Sequence, residues 1–111
     1  MKFAEFSLNE SILKAVSEER FHTATLVQQK VIPSVLEKKN MVVSAQTGTG
    51  KTAAFALPII QLLSEKLVEE KEVKKIKSLI ITPTRELAIQ ILEKFTSYSK
   101  YTNLSTTAVF G

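Results

Sequence analysis

One short segment of this 111-residue sequence combines glycine, lysine and threonine in a spacing that can bind phosphate. It consists of Ala45, Gln46, Thr47, Gly48, Thr49, Gly50, Lys51 and Thr52. In such a loop, consecutive backbone amides and the positive end of a helix dipole face the phosphate oxygens, and glycine lets the main chain approach closely. Lys51 would reach the β and γ phosphates of a nucleotide, and Thr52 would offer its hydroxyl to Mg²⁺. Because Ala45 stands where the pattern usually begins with glycine, the match is to the relaxed form of the motif.

The loop predicts a nucleotide but not which nucleotide, and a glycine-rich turn that only caps a helix is the structural alternative. Thr25 and Gln28, upstream of the loop, have the spacing of a capping box. The amide of Gln28 also carries a donor and an acceptor side by side, which can match N6 and N7 of adenine. Helix capping and base selection therefore both remain open for Gln28 at this point.

These residues need secondary structure elements to position them, and the apolar spacing predicts four helices and three strands. Ser7 and Glu10 suggest a capping box for a helix over 8–18, and a second helix starts near Thr25. Pro33 is expected to kink or restart that helix. The remaining predicted elements are a strand over 41–45, a helix from Gly50 that Pro58 bends, a strand over 78–82, a helix opened by Pro83 and Thr84, and a strand over 105–110. Alternating strands and helices predict an α/β domain with a mostly parallel sheet.

Composition restricts the function further. The net charge of +4 is too small to identify a nucleic-acid partner by itself, and the absence of cysteine excludes disulfides and thiolate metal sites. The sequence also contains no aspartate, so a motif that requires aspartate cannot be complete here. We find no targeting signal and no apolar run long enough for a membrane helix, and we expect a cytoplasmic protein without membrane contact.

Three segments, taken in order, resemble the motifs of one enzyme family. Residues 21–28, the phosphate loop and residues 83–88 are similar to the Q motif, motif I and motif Ia of the DEAD-box RNA helicases. Phe3 lies 17 residues before Arg20, where the family has an isolated aromatic residue. Two positions depart from the family pattern: Arg20 replaces a glycine and Ala24 replaces a proline.

The resemblance implies a partial RecA-like domain with three layers and an incomplete sheet. Its expected parts are a helical Q-motif region over 1–39 and a βαβαβ region over 40–111 that carries the phosphate loop. It further implies ATP and Mg²⁺ as cofactors, with Gln28 selecting adenine and Phe3 stacking on the base. Phe21 and Thr25 complete the implied nucleotide site.

The resemblance also implies an RNA site at Pro83, Thr84 and Arg85. Backbone amides and a guanidinium at a helix start would contact RNA phosphates there, independently of base sequence. From the residues alone, Thr84 capping its helix and Arg85 pairing with a glutamate is the alternative.

Several family motifs are absent from the chain. The Asp-Glu-Ala-Asp motif, the later motifs and the second RecA-like domain are missing, and we expect the chain to end inside the first domain. It should therefore bind ATP without hydrolysing it. A non-catalytic module that competes with a full-length helicase is the alternative function, and a kinase or transporter ATPase is disfavoured by the other two motifs. Unpaired strand edges predict self-association.

Overall fold

The computed structural model of the chain describes residues 2–43, 50–69 and 78–109. Within these ranges the elements are a 3-10 turn at Phe3–Glu5 and four α-helices, α1 Glu10–Glu18, α2 Leu26–Leu36, α3 Lys51–Glu69 and α4 Arg85–Tyr98. The number and order of these helices match the sequence prediction. In this part of the chain, no helix combines the length and apolarity needed to cross a membrane.

The cap of α1 differs from the sequence prediction. The side chain of Asn9, not that of Ser7, accepts a hydrogen bond from the backbone N–H of Ile12 at 2.9 Å. Leu8 is buried in the core and lies before the helix, which begins at Glu10. Asparagine caps helices as well as serine does, so the start of α1 at Glu10 keeps a side-chain cap.

Two helices contain an internal proline. α2 runs through Pro33 and α3 runs through Pro58, so the restart considered at Pro33 does not occur. The neighbouring Ile32 and Leu57 are fully buried. Because tertiary packing supplies most of the stability of a helix in a protein, this burial offsets the hydrogen bond that each proline cannot donate.

The hydrophobic core lies among the four helices and the N-terminal turn. α2 packs most extensively on α3, and α3 also packs on α4 and α1. The buried core consists of Phe3, Phe6, Leu8, Ile12, Val16, Ala24, Ile32, Ala53, Ala56, Leu57, Ile60, Phe95 and Tyr98. The predicted nucleotide site lies at the N-termini of α2 and α3. Packing of both helices on this core holds the two N-termini in place relative to each other.

The predicted strands are the main disagreement between sequence and structure. None of the described residues of 41–43, 78–82 and 105–109 belongs to a strand, so the three-layer parallel sheet is not formed in the described ranges. Val42 is 100% exposed and Ile81 is 84% exposed. A strand needs the backbone groups of a neighbour, and these segments do not supply them to one another. The sequence pattern identified segments suited to a sheet, but pairing is a property of the tertiary structure.

A polar cluster joins α1 to the residues that follow α4. Lys100 and Tyr101 both donate to the carboxylate of Glu18, and the ammonium of Lys14 lies 4.4 Å from the centre of the Tyr101 ring. The hydrogen bond from Lys100, followed by that from Tyr101, lowers the pKa of Glu18. The cluster is exposed, so it orients these segments without contributing much stability.

We expect Tyr98 to titrate far above an ordinary tyrosine. Burial, with a smaller contribution from the charge of Glu19, raises its pKa from 10.0 to about 12. The folded state therefore favours the neutral phenol, and the associated stability is complete below pH 10 and is lost as the pH rises through about 12. An ultraviolet titration of tyrosinate should show a component near that upper value. The Tyr98→Phe variant should lose this component, and persistence of the component in that variant would contradict the assignment to buried Tyr98.

Candidate nucleotide-binding site

The N-terminus of α2 and the end of the predicted phosphate loop meet at one hydrogen bond. The side-chain amide of Gln28 donates from Nε2 to the carbonyl oxygen of Gly50 at 3.2 Å, across 22 residues of sequence. The bond joins the segment predicted to read the base to the segment predicted to hold the phosphates. The structure therefore brings together two of the three motif segments found in the sequence.

Gln28 is held from two sides. Its Oε1 accepts from the backbone N–H of Thr25 at 2.9 Å, and its own backbone N–H donates to Oγ1 of Thr25 at 3.3 Å. These bonds form the capping box that the sequence predicted, so the capping role of Gln28 is confirmed. The side chain is 3% exposed, and its position is fixed by the protein. Base selection stays a prediction.

Gly50 adopts a backbone conformation that favours glycine, with φ at +79°. A Cβ atom built on Gly50 would lie 2.2 Å from Nε2 of Gln28 and 3.1 Å from its Cδ. The glycine is thus required for two reasons, its positive φ and the close approach of the Gln28 amide. The spacing of the motif indicates the glycine, but the reason involving Gln28 could not be found from sequence.

Lys51 and Thr52 occupy the first two positions of α3, directly after Gly50. Lys51 is exposed and Thr52 is half-buried. A helix that starts immediately after a positive-φ glycine suits the binding of an anion at its N-terminus, which fits the predicted phosphate and Mg²⁺ roles. The other predicted loop residues, Ala45, Gln46, Thr47, Gly48 and Thr49, lie outside the described residues. No group of acidic, histidine or cysteine side chains within the described ranges could hold a metal ion.

The two aromatic residues predicted for the nucleotide site pack against each other. The rings of Phe3 and Phe21 are stacked with centroids 6.1 Å apart, and Phe6 meets Phe3 edge-on at 5.8 Å. Phe3 is 3% exposed, and its backbone N–H donates to the carbonyl of His22 at 3.4 Å. In this conformation both rings pack into the hydrophobic core beside the loop before α2. Stacking of Phe3 on adenine stays a prediction that requires this packing to open.

The structure shows the environment of Arg20 and Ala24, the two residues that depart from the family pattern. Arg20 directly follows Glu19, the C-cap of α1, and lies in the left-handed region with φ at 61°, which explains why glycine suits this position. Ala24 is buried, and its carbonyl accepts a hydrogen bond from the side chain of Gln29 at 3.0 Å.

The predicted RNA-contacting residues lie at the start of α4. The side chain of Thr84 caps this helix by accepting from the N–H of Leu87 at 3.1 Å. Pro83, Thr84 and Arg85 are all exposed, and Glu86 lies in the first helical turn. The capping alternative for Thr84 is thus confirmed, and its backbone position remains compatible with phosphate contact.

Comparison with known proteins gives a consistent result. A family model described as DEAD/DEAH box helicase matches residues 25–111. The DEAD-box ATP-dependent RNA helicase RhpA of Helicobacter pylori is 46% identical over 98% of this chain and 21% of its own length. The ATP-dependent RNA helicase DbpA of Bacillus subtilis is 40% identical over 98% of this chain and 22% of its own length.

Solved structures agree in fold. The crystal structure of a DEAD box protein from Methanococcus jannaschii is 42% identical, with a TM-score of 0.77 over 88% of this chain and 25% of that chain. The RNA helicase Prp28 from Chaetomium thermophilum, bound to ADP, is 30% identical, with a TM-score of 0.84 over 99% of this chain and 26% of that chain. These likenesses support an α/β RecA-like fold. The chain spans about a fifth of the length of the curated relatives it matches.

Proposed function

This chain belongs to the DEAD/DEAH box helicase family, and we propose that it is the adenine-nucleotide-binding part of an ATP-dependent RNA helicase. The hydrogen bond from Gln28 to Gly50 carries the proposal, because it connects a base-reading side chain to the end of the phosphate loop. The alternative is that the glycine-rich turn only caps α3. Such a turn would not need a side chain of α2 to bond to Gly50, its last glycine.

The residues present suit an ATP–Mg²⁺ complex. Lys51 would neutralise charge on the β and γ phosphates, and Thr52 would hold the metal through its hydroxyl. Mg²⁺, when bound, neutralises the same phosphates and fixes their orientation. Gln28 would form hydrogen bonds with the edge of adenine, and the rings of Phe21 and Phe3 would form the apolar side of the base-binding site.

The start of α4 is the proposed RNA contact. Its exposed N-terminus offers backbone amides, and Arg85 offers a guanidinium that forms paired hydrogen bonds with phosphate. Such contacts follow the backbone and do not read base edges, so the proposed RNA binding is independent of sequence.

We expect the 111-residue chain to bind ATP without hydrolysing it. Phosphoryl transfer of this kind needs an aspartate to hold Mg²⁺ and a neighbouring acid to position water, and the chain contains no aspartate. A phosphate-release assay with ATP, Mg²⁺ and RNA should stay at background in the unchanged chain and in the Lys51→Ala variant. Release in the unchanged chain that disappears in the variant would show that a glutamate replaces the missing acids.

Replacing Arg85 with alanine should weaken RNA binding equally for all base sequences. Loss of one phosphate contact should also reduce the slope of log affinity against log salt by roughly 1. Fluorescence anisotropy with two single-stranded RNAs of different composition, measured at several salt concentrations, tests this. Lys94→Ala, which removes an exposed charge from the C-terminal half of α4, is the matched control. An equal effect of the two variants would place the RNA elsewhere.

A further inference from the structure

We propose that a polar cavity between α1, the C-terminal half of α3 and the segment after α4 binds the guanidinium group of an arginine in a partner peptide. The cavity has a volume of about 530 Å³, within the range of ligand pockets in proteins. Its lining includes Ser11 of α1, the α3 residues Gln61, Ser64 and Glu65, and Tyr101 after α4. The proposal concerns a second site and does not depend on the proposed nucleotide function.

The cavity is separate from the nucleotide and RNA sites. Among its lining residues on α3, Gln61 is the nearest to the phosphate loop, and it lies about 15 Å along the helix from Lys51, because an α-helix rises about 1.5 Å per residue. The whole length of α4, about 20 Å, separates Arg85 from Tyr101. A ligand of this cavity therefore belongs to neither of those sites.

Two consecutive hydrogen bonds hold the carboxylate of Glu65 in one orientation. The backbone N–H of Asn9 donates to Oε1 of Gln61 at 2.6 Å, and Nε2 of Gln61 donates to Oε1 of Glu65 at 2.7 Å. Gln61 is 6% exposed, so its amide is fixed by the protein. Oε2 of Glu65 has no hydrogen-bond partner among the residues that the structure describes. This carboxylate is ordered before a ligand arrives, which reduces the entropy lost on binding.

A second polar atom of the cavity is buried without a partner. Oγ of Ser64 is almost completely shielded from solvent and forms no hydrogen bond in the described part of the chain. A serine hydroxyl has two lone pairs, so it can accept from a ligand N–H. Burial of a polar atom without a hydrogen bond costs free energy, and a ligand donor would remove that cost. Ser64 and Glu65 therefore both favour a ligand that donates hydrogen bonds.

The charges around the cavity favour a cation beside Glu65. Glu65 is the only ionised side chain among the described lining residues. Near Tyr101, the ammonium groups of Lys14 and Lys100 lie 4.4 Å and 5.4 Å from the centre of the ring, and Lys100 is paired with Glu18. A second cation beside Tyr101 would be repelled by Lys14. We therefore expect the residues next to the arginine in the peptide to be neutral or acidic.

The acceptors of the cavity suit a guanidinium better than an ammonium. A guanidinium carries five N–H donors in a planar fork, so it can bond to several oxygens around one cavity. Besides Ser64 and Glu65, the side-chain amide of Asn103 lines the cavity and supplies another oxygen. An ammonium has three donors and is more strongly hydrated, so it loses more on leaving water.

An NMR titration of the isotope-labelled chain with three capped tetrapeptides tests the proposal. The first is Ala-Arg-Glu-Ala, the second carries citrulline in place of arginine, and the third carries lysine there. Citrulline keeps the shape of the side chain and removes its charge. We expect the arginine peptide to bind about tenfold more tightly than the citrulline peptide, with the lysine peptide between them. The side-chain amide signals of Gln61 and Asn103 should shift most.

Glu65→Gln isolates the contribution of the carboxylate. It removes the charge and keeps the length of an exposed side chain, and we expect it to weaken binding of the arginine peptide about tenfold. Glu93→Gln, which removes an exposed carboxylate of α4 outside the cavity, is the matched control and should have little effect. The net charge of the chain is +4, so general electrostatic attraction cannot account for binding of a cationic group.

Several results would overturn the proposal, and the peptide comparison needs only the unchanged chain. Absence of binding, or equal affinities of the arginine and citrulline peptides, would show that the cavity does not recognise the guanidinium charge. A lysine peptide that binds as tightly as the arginine peptide would exclude selection of guanidinium. Equal effects of Glu65→Gln and Glu93→Gln, or shifts confined to residues outside the cavity, would place the peptide elsewhere. Arginine amide that binds as tightly as the tetrapeptide would indicate a small-molecule site instead of a peptide site.

Discussion

The Lys51→Ala variant is expected to bind ATP about 10- to 100-fold more weakly than the unchanged chain. A hydrogen bond to a charged group contributes about 1.5–3 kcal/mol, and each 1.4 kcal/mol corresponds to a factor of ten in affinity. Lys51 is the first residue of α3 and is exposed, directly after Gly50. Its charge therefore adds to the dipole of α3 at the place where the phosphates would lie.

Titration with a fluorescent adenine nucleotide in the presence of Mg²⁺ measures this effect. Lys94→Ala is the matched control, because it removes the same charge from an exposed position on another helix. Removal of Mg²⁺ should weaken binding by the unchanged chain and have a smaller effect on Lys51→Ala, whose phosphate contact is already reduced. Equal affinities of the unchanged chain and Lys51→Ala would refute the assignment of the phosphate loop.

Self-association, or a loosely packed monomer, is the second large effect that we expect. The apolar segments 41–43 and 78–82 are exposed and form no strand in the described structure, with Val42 and Ile81 among their most exposed side chains. Leu87 and Ile89 on α4 are exposed as well. Unpaired backbone groups beside apolar side chains recruit other chains, either as added strands or as a covering surface.

Sedimentation over a range of protein concentrations tests this expectation. Ile81→Lys should shift the population toward monomer, because a charge within the exposed segment opposes pairing. Ser17→Lys, on the exposed side of α1, makes a comparable charge change away from these segments and should have no such effect. A compact monomer at all concentrations with a sharp two-state thermal transition would contradict the prediction and would mean that the chain packs these segments by itself.

The sequence by itself determined the features that depend on neighbouring residues. The capping box of Thr25 and Gln28 and the cap of α4 by Thr84 each join residues three positions apart, so the local pattern was sufficient to predict them. The start of α3 directly after Gly50 follows from the same kind of local signal, a glycine before an amphipathic stretch. Local signals alone also suggested Ser7 as the cap of α1, and this was wrong because Asn9, two residues later, caps the helix.

The tertiary structure decided the features that join distant residues. The hydrogen bond from Gln28 to Gly50 joins residues 22 positions apart in the sequence. Neither the apolar periodicity nor the spacing of the motifs predicts that these two residues are in contact. The stacking of Phe3 on Phe21 likewise depends on where the N-terminal turn lies against the loop before α2. The predicted strands show the same limit, because an apolar, β-branched segment becomes a strand only when a neighbouring backbone pairs with it. A helix forms its hydrogen bonds within its own segment, whereas a strand needs those of a neighbour. This is why the four predicted helices are present in the described residues while the described parts of the three predicted strands form no sheet there.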